Sequence, residues 1–116
     1  MIESWCHCGA VRLEMESAPE EVTDCNCTIC RRYGALWAYY PLKDVRVIND
    51  ATDIYMWDKR SIEFHRCKHC GCVTHWAPVD KSHHRMSVNA QLMAPEVLAR
   101  ARVRPFDGAD SRKYLD

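Results

Sequence analysis

The sequence predicts a mainly β protein built from antiparallel sheets, with one or two short helices. Its apolar runs are short, several of them alternate between apolar and polar residues, and they are rich in Val, Ile, Tyr and Trp. Turn-forming residues such as Asn-Asp, Asp-Lys and Pro separate these runs. Helical periodicity is rare, so strands account for most of the regular structure that we expect.

Seven of these runs are predicted strands. The run at 36–40 ends at Pro41, which cannot donate a hydrogen bond to a neighbouring strand. The runs at 62–64 and 73–76 flank one group of cysteines. The predicted strands are residues 10–15, 36–40, 45–48, 54–57, 62–64, 73–76 and 86–88.

Two segments have helical signals. Residues 28–33 can form a single turn that includes Cys30. Residues 95–101 place Pro95 at the first helical position, where its missing N–H costs nothing, and good helix formers follow.

Length, charge and hydropathy restrict the class of protein. With 116 residues and 47% hydrophobic residues, the chain is of a size for one globular domain. Sixteen basic residues balance sixteen acidic ones, so the chain has no overall positive charge to attract a polyanion. We therefore expect no nucleic-acid partner. No apolar stretch approaches the roughly 20 residues of a membrane span, and no basic segment followed by an apolar run marks a secretory signal. A cytoplasmic location follows as an expectation.

Eight cysteines form three closely spaced groups. A disulfide scaffold is one explanation, because the number is even and the chain is short. The spacings CxC and CxxC favour metal ligation instead, as does a cytoplasmic location, where thiols stay reduced. The cysteines are Cys6, Cys8, Cys25, Cys27, Cys30, Cys67, Cys70 and Cys72.

The first and third groups together predict a structural zinc site. Gly9 follows the first group and Gly71 follows the CKHC of the third, and glycine allows the positive φ that zinc-binding turns need. Two ligands from each of two distant turns complete a tetrahedron. The predicted ligands are Cys6, Cys8, Cys67 and Cys70.

The middle group, Cys25, Cys27 and Cys30, has three ligands and therefore leaves two alternatives. Either Cys72 or a histidine closes the site, or the fourth position is open to a substrate. Three thiolates give a Zn²⁺ centre a net charge of −1, which weakens its Lewis acidity. Because zinc deprotonates a coordinating thiol, such a centre suits the addition of a thiol to a carbonyl better than hydrolysis.

The order of these motifs resembles a known family. CHCGAV stands near the start, CNCTICRRYGA follows, and a Y-x-W segment precedes F-x-x-C-x-x-C-G and a further tryptophan. The late segment MSVNAQL is similar as well. Together these segments resemble the glutathione-dependent formaldehyde-activating enzymes and centromere protein V.

This resemblance implies a single zinc-binding domain over residues 1–116, with a fold of the β-tent type whose antiparallel sheets are held together by zinc. It implies two zinc ions, a structural one on the four cysteines of the first and third groups and a catalytic one on Cys25, Cys27 and Cys30. The implied activity is of the carbon–sulfur lyase type, in which glutathione and formaldehyde join reversibly. The partners would be a small-molecule thiol and an aldehyde.

Arg31 and Arg32 follow the open site and are predicted to bind a substrate carboxylate through paired hydrogen bonds.

Two other functions compete with the enzyme. One is a non-catalytic zinc module in which Cys72 or a histidine closes the second site. The other is a redox or metal sensor with Cys72 as its reactive thiol. Pairing through an exposed sheet edge could also form a homodimer.

Overall fold

The computed structural model describes all residues, Met1–Asp116, and most of its regular structure is β. Neither α-helix is long and apolar enough to span a membrane. The strands are β1 Ile2–Trp5, β2 Arg12–Met15, β3 Glu21–Cys25, β4 Trp37–Pro41, β5 Val45–Asn49, β6 Thr52–Tyr55, β7 Ile62–Cys67, β8 Val73–Pro78, β9 Arg85–Asn89 and β10 Arg102–Phe106. The helices are α1 Thr28–Tyr33 and α2 Pro95–Leu98, and short 3₁₀ turns cover Leu42–Asp44, Lys81–His83 and Ala90–Leu92.

The strands form two sheets. The smaller sheet has the strand order β1-β2-β5 and is antiparallel. The larger has the order β10-β3-β4-β9-β8-β7-β6. Its neighbours are antiparallel except for β10 and β3, which run parallel. The mainly β prediction of antiparallel sheets with one or two short helices is thus confirmed, and the pair of β10 and β3 adds one parallel pairing to it.

The larger sheet has a core on each face. Because side chains alternate along a strand, Ala38 and Tyr40 on β4 pack into one core, whereas Trp37 packs into the other. The first core also contains Leu13 and Met15 from the smaller sheet. The second core contains Trp37 and Phe64 and lies against α1. The first core therefore joins the two sheets, and the second supports the helix that carries Cys30.

All seven predicted strands are present, and most extend beyond the predicted bounds. Three strands were not predicted, namely β1, β3 and β10. Each is four or five residues long and carries charged residues, so its apolar pattern is too short to recognise. β10 pairs with β3 although the two strands lie far apart in sequence, with Arg102 opposite Glu21. This non-local pairing explains why local alternation did not predict it.

Asn89 links three parts of the larger sheet. Its side-chain oxygen accepts from the N–H of Leu36 at 3.4 Å and from that of Gln91 at 3.1 Å. Its amide nitrogen donates to the carbonyl of Val73 at 2.8 Å. The residue is 6% exposed, so water cannot readily replace these partners. Asn89 thereby fixes the ends of β4, β8 and β9 beside one another.

We predict that Asn89→Ala lowers the free energy of unfolding by about 2–3 kcal/mol, because it leaves buried backbone groups without partners. Denaturant unfolding at a fixed zinc concentration measures this change. Ser87→Ala is the matched control, since Ser87 lies buried on the same strand and donates one hydrogen bond of 3.3 Å to Ala38. Equal losses for the two variants would contradict the role assigned to Asn89.

Candidate metal centres

Four cysteines from two distant turns meet at one point beside the first core. Their sulfur atoms all lie within 4.8 Å of one another. The Sγ atom of Cys8 is 3.6 Å from that of Cys6 and 3.6 Å from that of Cys67. A tetrahedral zinc site with Zn–S bonds of about 2.3 Å has sulfur–sulfur edges of about 3.8 Å, whereas a disulfide is about 2.0 Å long. This donor set therefore fits a metal ion. The four are Cys6, Cys8, Cys67 and Cys70.

The two turns of this cluster have the same local construction. Gly9 and Gly71 have φ values of 82° and 80°, in the left-handed region that favours glycine. Each donates its N–H to the carbonyl of the first cysteine in its turn, at 3.0 Å in both cases. Backbone N–H groups also point at sulfur, with Val11 donating to Cys6 at 3.3 Å. Such donors stabilise thiolates and so favour metal binding.

Cys72 lies beside this first cluster. Its carbonyl accepts from the N–H of Cys67 at 2.9 Å. The pKa of Cys70 is lowered to about 5, mainly by the backbone N–H of Cys72 and next by that of Cys8. The backbone N–H of His7 lowers the pKa of Cys72, but burial and then the neighbouring side chain of Cys70 outweigh it and raise this pKa. The sequence left open whether Cys72 closes the second site. In the structure Cys72 lies near the four-cysteine cluster instead.

The other three cysteines form a second cluster, beside the second core. Cys25 ends β3, Cys27 caps the N-terminus of α1, and Cys30 lies within α1. Their sulfur atoms also lie within 4.8 Å of one another, and no fourth Cys, His, Asp or Glu belongs to the group. A tetrahedral metal held here would keep one position free of protein ligands. Because the two clusters belong to different cores, they lie on opposite faces of the larger sheet.

Hydrogen-bond donors point at two sulfur atoms of the three-cysteine cluster. The N–H of Cys30 donates to the Cys27 sulfur at 3.4 Å, and the indole Nε1 of Trp37 donates to the Cys30 sulfur at 3.3 Å. The side chain of Cys30 is the main cause that lowers the pKa of Cys25 to about 6, and the N–H groups of Cys27 and Gly108 contribute. One thiolate is therefore available at neutral pH to begin metal binding.

The two arginines that were predicted to bind substrate have different surroundings in the structure. Arg32 donates from Nη1 to the carbonyl of Thr28 at 2.8 Å and to its hydroxyl at 2.7 Å. It also lines an open groove of about 530 Å³ that begins at Thr28, the residue after Cys27. Arg31 is exposed, does not line this groove and makes no side-chain hydrogen bond within the chain. The other groove residues are Ile29, Tyr33, Tyr55, Trp57 and Arg66.

The buried histidine of β8 lies away from the three-cysteine cluster. His75 pairs across the sheet with Val88, a residue of the first core, and its ring stacks on that of His65 with centroids 4.3 Å apart. Burial, followed by the nearby His65, lowers the pKa of His75 to about 3. It stays neutral at physiological pH and does not serve this cluster as a proton carrier.

Gly108 contacts the three-cysteine cluster, and the sequence does not predict this contact. The dipeptide Asp107-Gly108 indicates a turn, yet nothing in its sequence indicates what the turn packs against. In the structure this turn lies on the loop that carries Cys25 and Cys27. The hydrogen bond from Trp37 to Cys30 is likewise visible only in three dimensions.

Comparisons with known proteins agree with this architecture. The family model described as glutathione-dependent formaldehyde-activating enzyme matches residues 1–106. A Rhodobacter sphaeroides protein of known crystal structure is 28% identical and superposes with a TM-score of 0.73, and the match covers 88% of this chain and 99% of that chain. The resemblance drawn from the cysteine motifs is thereby confirmed, and the chain belongs to the glutathione-dependent formaldehyde-activating enzyme family.

Proposed function

We propose that the chain is a zinc-dependent enzyme of the carbon–sulfur lyase type, which reversibly adds a glutathione-like thiol to formaldehyde or another small aldehyde. The observation that carries this proposal is the three-cysteine cluster, which has no fourth protein ligand. Membership of the family supports glutathione and formaldehyde as the reactants. The enzyme would act in the cytoplasm, where glutathione is abundant and thiols stay reduced.

Two roles follow for the cysteines. Cys25, Cys27 and Cys30 would hold the catalytic zinc, and the four-cysteine cluster would hold a structural one. The catalytic zinc, when bound, would keep the incoming thiol in its thiolate form at neutral pH. Trp37 and the N–H of Cys30 would hold two of the ligand sulfurs in place through their hydrogen bonds.

The reaction needs no oxidant or reductant. The thiolate sulfur attacks the carbonyl carbon and forms the C–S bond, while the C=O π electrons move to oxygen, which then takes up a proton. The product is a hydroxymethyl thioether, and the reverse steps cleave it. Binding would hold the thiol carrier in one orientation relative to the aldehyde. We expect this orientation to provide much of the rate gain.

The groove beside α1 would bind the carrier of the thiol. Arg32 and Arg66 line it, and neither forms an ion pair within the chain. Tyr33, Tyr55 and Trp57 form its apolar walls. Glutathione carries two carboxylates and spans about 10 Å when extended. The groove begins at Thr28, the residue after Cys27, so a carrier bound there would present its thiol past this end of the groove. Arginine pairs well with carboxylates.

The placement of Cys72 weakens the alternative of a non-catalytic module. That function needs a fourth protein ligand at the second site, and Cys72 lies with the other cluster. A histidine could not replace it without rearrangement, because no histidine nitrogen belongs to the three-cysteine group.

We predict two zinc ions per chain, measured by elemental analysis on protein purified without chelator. Cys25→Ser and Cys70→Ser should each leave about one zinc, since each removes a ligand from a different cluster. Cys72→Ser is the control and should retain two. A wild-type chain with one zinc, or loss of a zinc from the Cys72 variant, would contradict this assignment.

We predict that the zinc-loaded protein accelerates the exchange between free glutathione and its formaldehyde adduct, which NMR exchange spectroscopy measures at equilibrium. Cys27→Ser should abolish this acceleration, because it removes a ligand of the catalytic zinc and leaves the other cluster intact. An acceleration that survives in this variant would place the reaction elsewhere.

We predict that Arg32→Ala raises the half-saturating concentration of glutathione by about 10- to 100-fold, the equivalent of one charge-assisted hydrogen bond. With 2-mercaptoethanol, which has no carboxylate, the same variant should behave as the wild type. Arg31→Ala tests the second predicted arginine, and Arg100→Ala is the control on a distant exposed site. Equal effects of Arg31→Ala and Arg32→Ala would contradict the assignment of the groove.

A further inference from the structure

The loop of the three-cysteine cluster is held by the segment that follows β10. Asn26, which stands between Cys25 and Cys27, donates from its side chain to the Asp107 carboxylate at 3.1 Å. Its side-chain oxygen accepts from the N–H of Ala109 at 3.0 Å. Its backbone N–H donates to the carbonyl of Phe106 at 3.2 Å. Three hydrogen bonds therefore tie the loop to residues 106–109.

Gly108 lies directly against the cysteines. A Cβ atom at this position would be 2.5 Å from the Cys25 sulfur and 3.3 Å from the Cβ of Cys27. The φ angle of Gly108 is outside the left-handed region, so its backbone conformation is open to other residues. What the position requires of glycine is the absence of a side chain, because the sulfur occupies that space.

The segment is itself anchored to the sheet. Tyr114 shares a hydrogen bond of 2.8 Å with the hydroxyl of Thr23 on β3, and its ring packs edge-on against Phe106 at 4.9 Å. The Arg104 guanidinium lies 3.7 Å above the centre of the same ring and forms an ion pair with Asp116 at 3.0 Å. These contacts hold residues 107–116 against β10 and against β3, the strand that ends at Cys25.

We propose that Gly108 and the Asn26–Asp107 pair are positioning residues of the three-cysteine centre, which set the spacing of its sulfur atoms and slow the release of its metal. Asp107 and Gly108 lie beyond residues 1–106, the part of the chain that the family model matches. Asn26 lies within that part and is bound by Asp107. The proposal rests on the part of the proposed function in which this cluster holds a metal. It does not depend on the reaction that follows.

The physical reason is that a metal leaves only when its ligand sulfurs separate. Cys25 ends a strand and Cys27 begins a helix, so the short link through Asn26 is the part of the site that can open. Docking of residues 106–109 restricts that motion on one side of Cys25. Gly108 packs against the Cys25 sulfur with no side chain between them, and support of this kind around a ligand raises metal affinity.

The test is the rate at which the zinc-loaded full chain releases each of its two zinc ions to an excess of a coloured chelator. Gly108→Ala should accelerate release of one equivalent by about 10- to 100-fold, the usual effect of losing support around a ligand. The other equivalent should leave at the wild-type rate. Asp110→Ala is the matched control, because its exposed side chain makes no hydrogen bond and stands two residues away.

A second set of variants tests the Asn26–Asp107 pair without adding bulk. Asn26→Asp places two carboxylates against each other and should also accelerate release of one equivalent. Adding Asp107→Asn exchanges the two partners and restores a donor and an acceptor, so the double variant should return toward the wild-type rate. A purely structural loss of packing would not be repaired by this exchange.

Wild-type release from Gly108→Ala and Asn26→Asp would overturn the proposal, as would equal acceleration of both equivalents. Failure of the proposed function has a different signature. If these variants accelerate the release of only one zinc equivalent, but the wild-type chain does not accelerate thiol–aldehyde exchange, the positioning role stands and the assigned reaction is wrong.

Discussion

The meeting of two cysteine turns that are 59 residues apart is the constraint on which the rest of the structure depends. The sulfur atoms of Cys8 and Cys67 stand 3.6 Å apart, so the first turn after β1 is fixed against the turn between β7 and β8. This closes the core between the two sheets. In a chain of this size a metal at that junction would supply a large share of the folding free energy.

The larger sheet separates this junction from the proposed site of chemistry. Alternation along β4 sends Tyr40 toward one cysteine cluster and Trp37 toward the other. The three-cysteine cluster therefore rests on a rigid sheet, with Trp37 directly bonded to Cys30. Placing reactive groups on strands and a packed helix gives more accurate geometry than a free loop would.

The charges around the three-cysteine cluster are complementary to its proposed task. Three thiolates would give a zinc ion bound there a net charge of −1, which would repel an anionic thiol carrier. Arg32 and Arg66 line the groove next to it without acidic partners, so they can offset that repulsion. On its other side, the cluster meets Gly108, which places no side chain against the sulfurs.

The sequence by itself determined the mainly β class, helix α1 at residues 28–33 and the division of seven cysteines into a group of four and a group of three. These features depend on local spacing, because CxC and CxxC turns and a one-turn helix are built from neighbouring residues. Only the tertiary structure decided which cluster Cys72 joins, which arginine lines the groove, and what Gly108 contacts. Those outcomes depend on the parallel pairing of β10 with β3 and on the direction of single side chains. Both are set by packing between segments far apart in the chain, which local patterns do not encode.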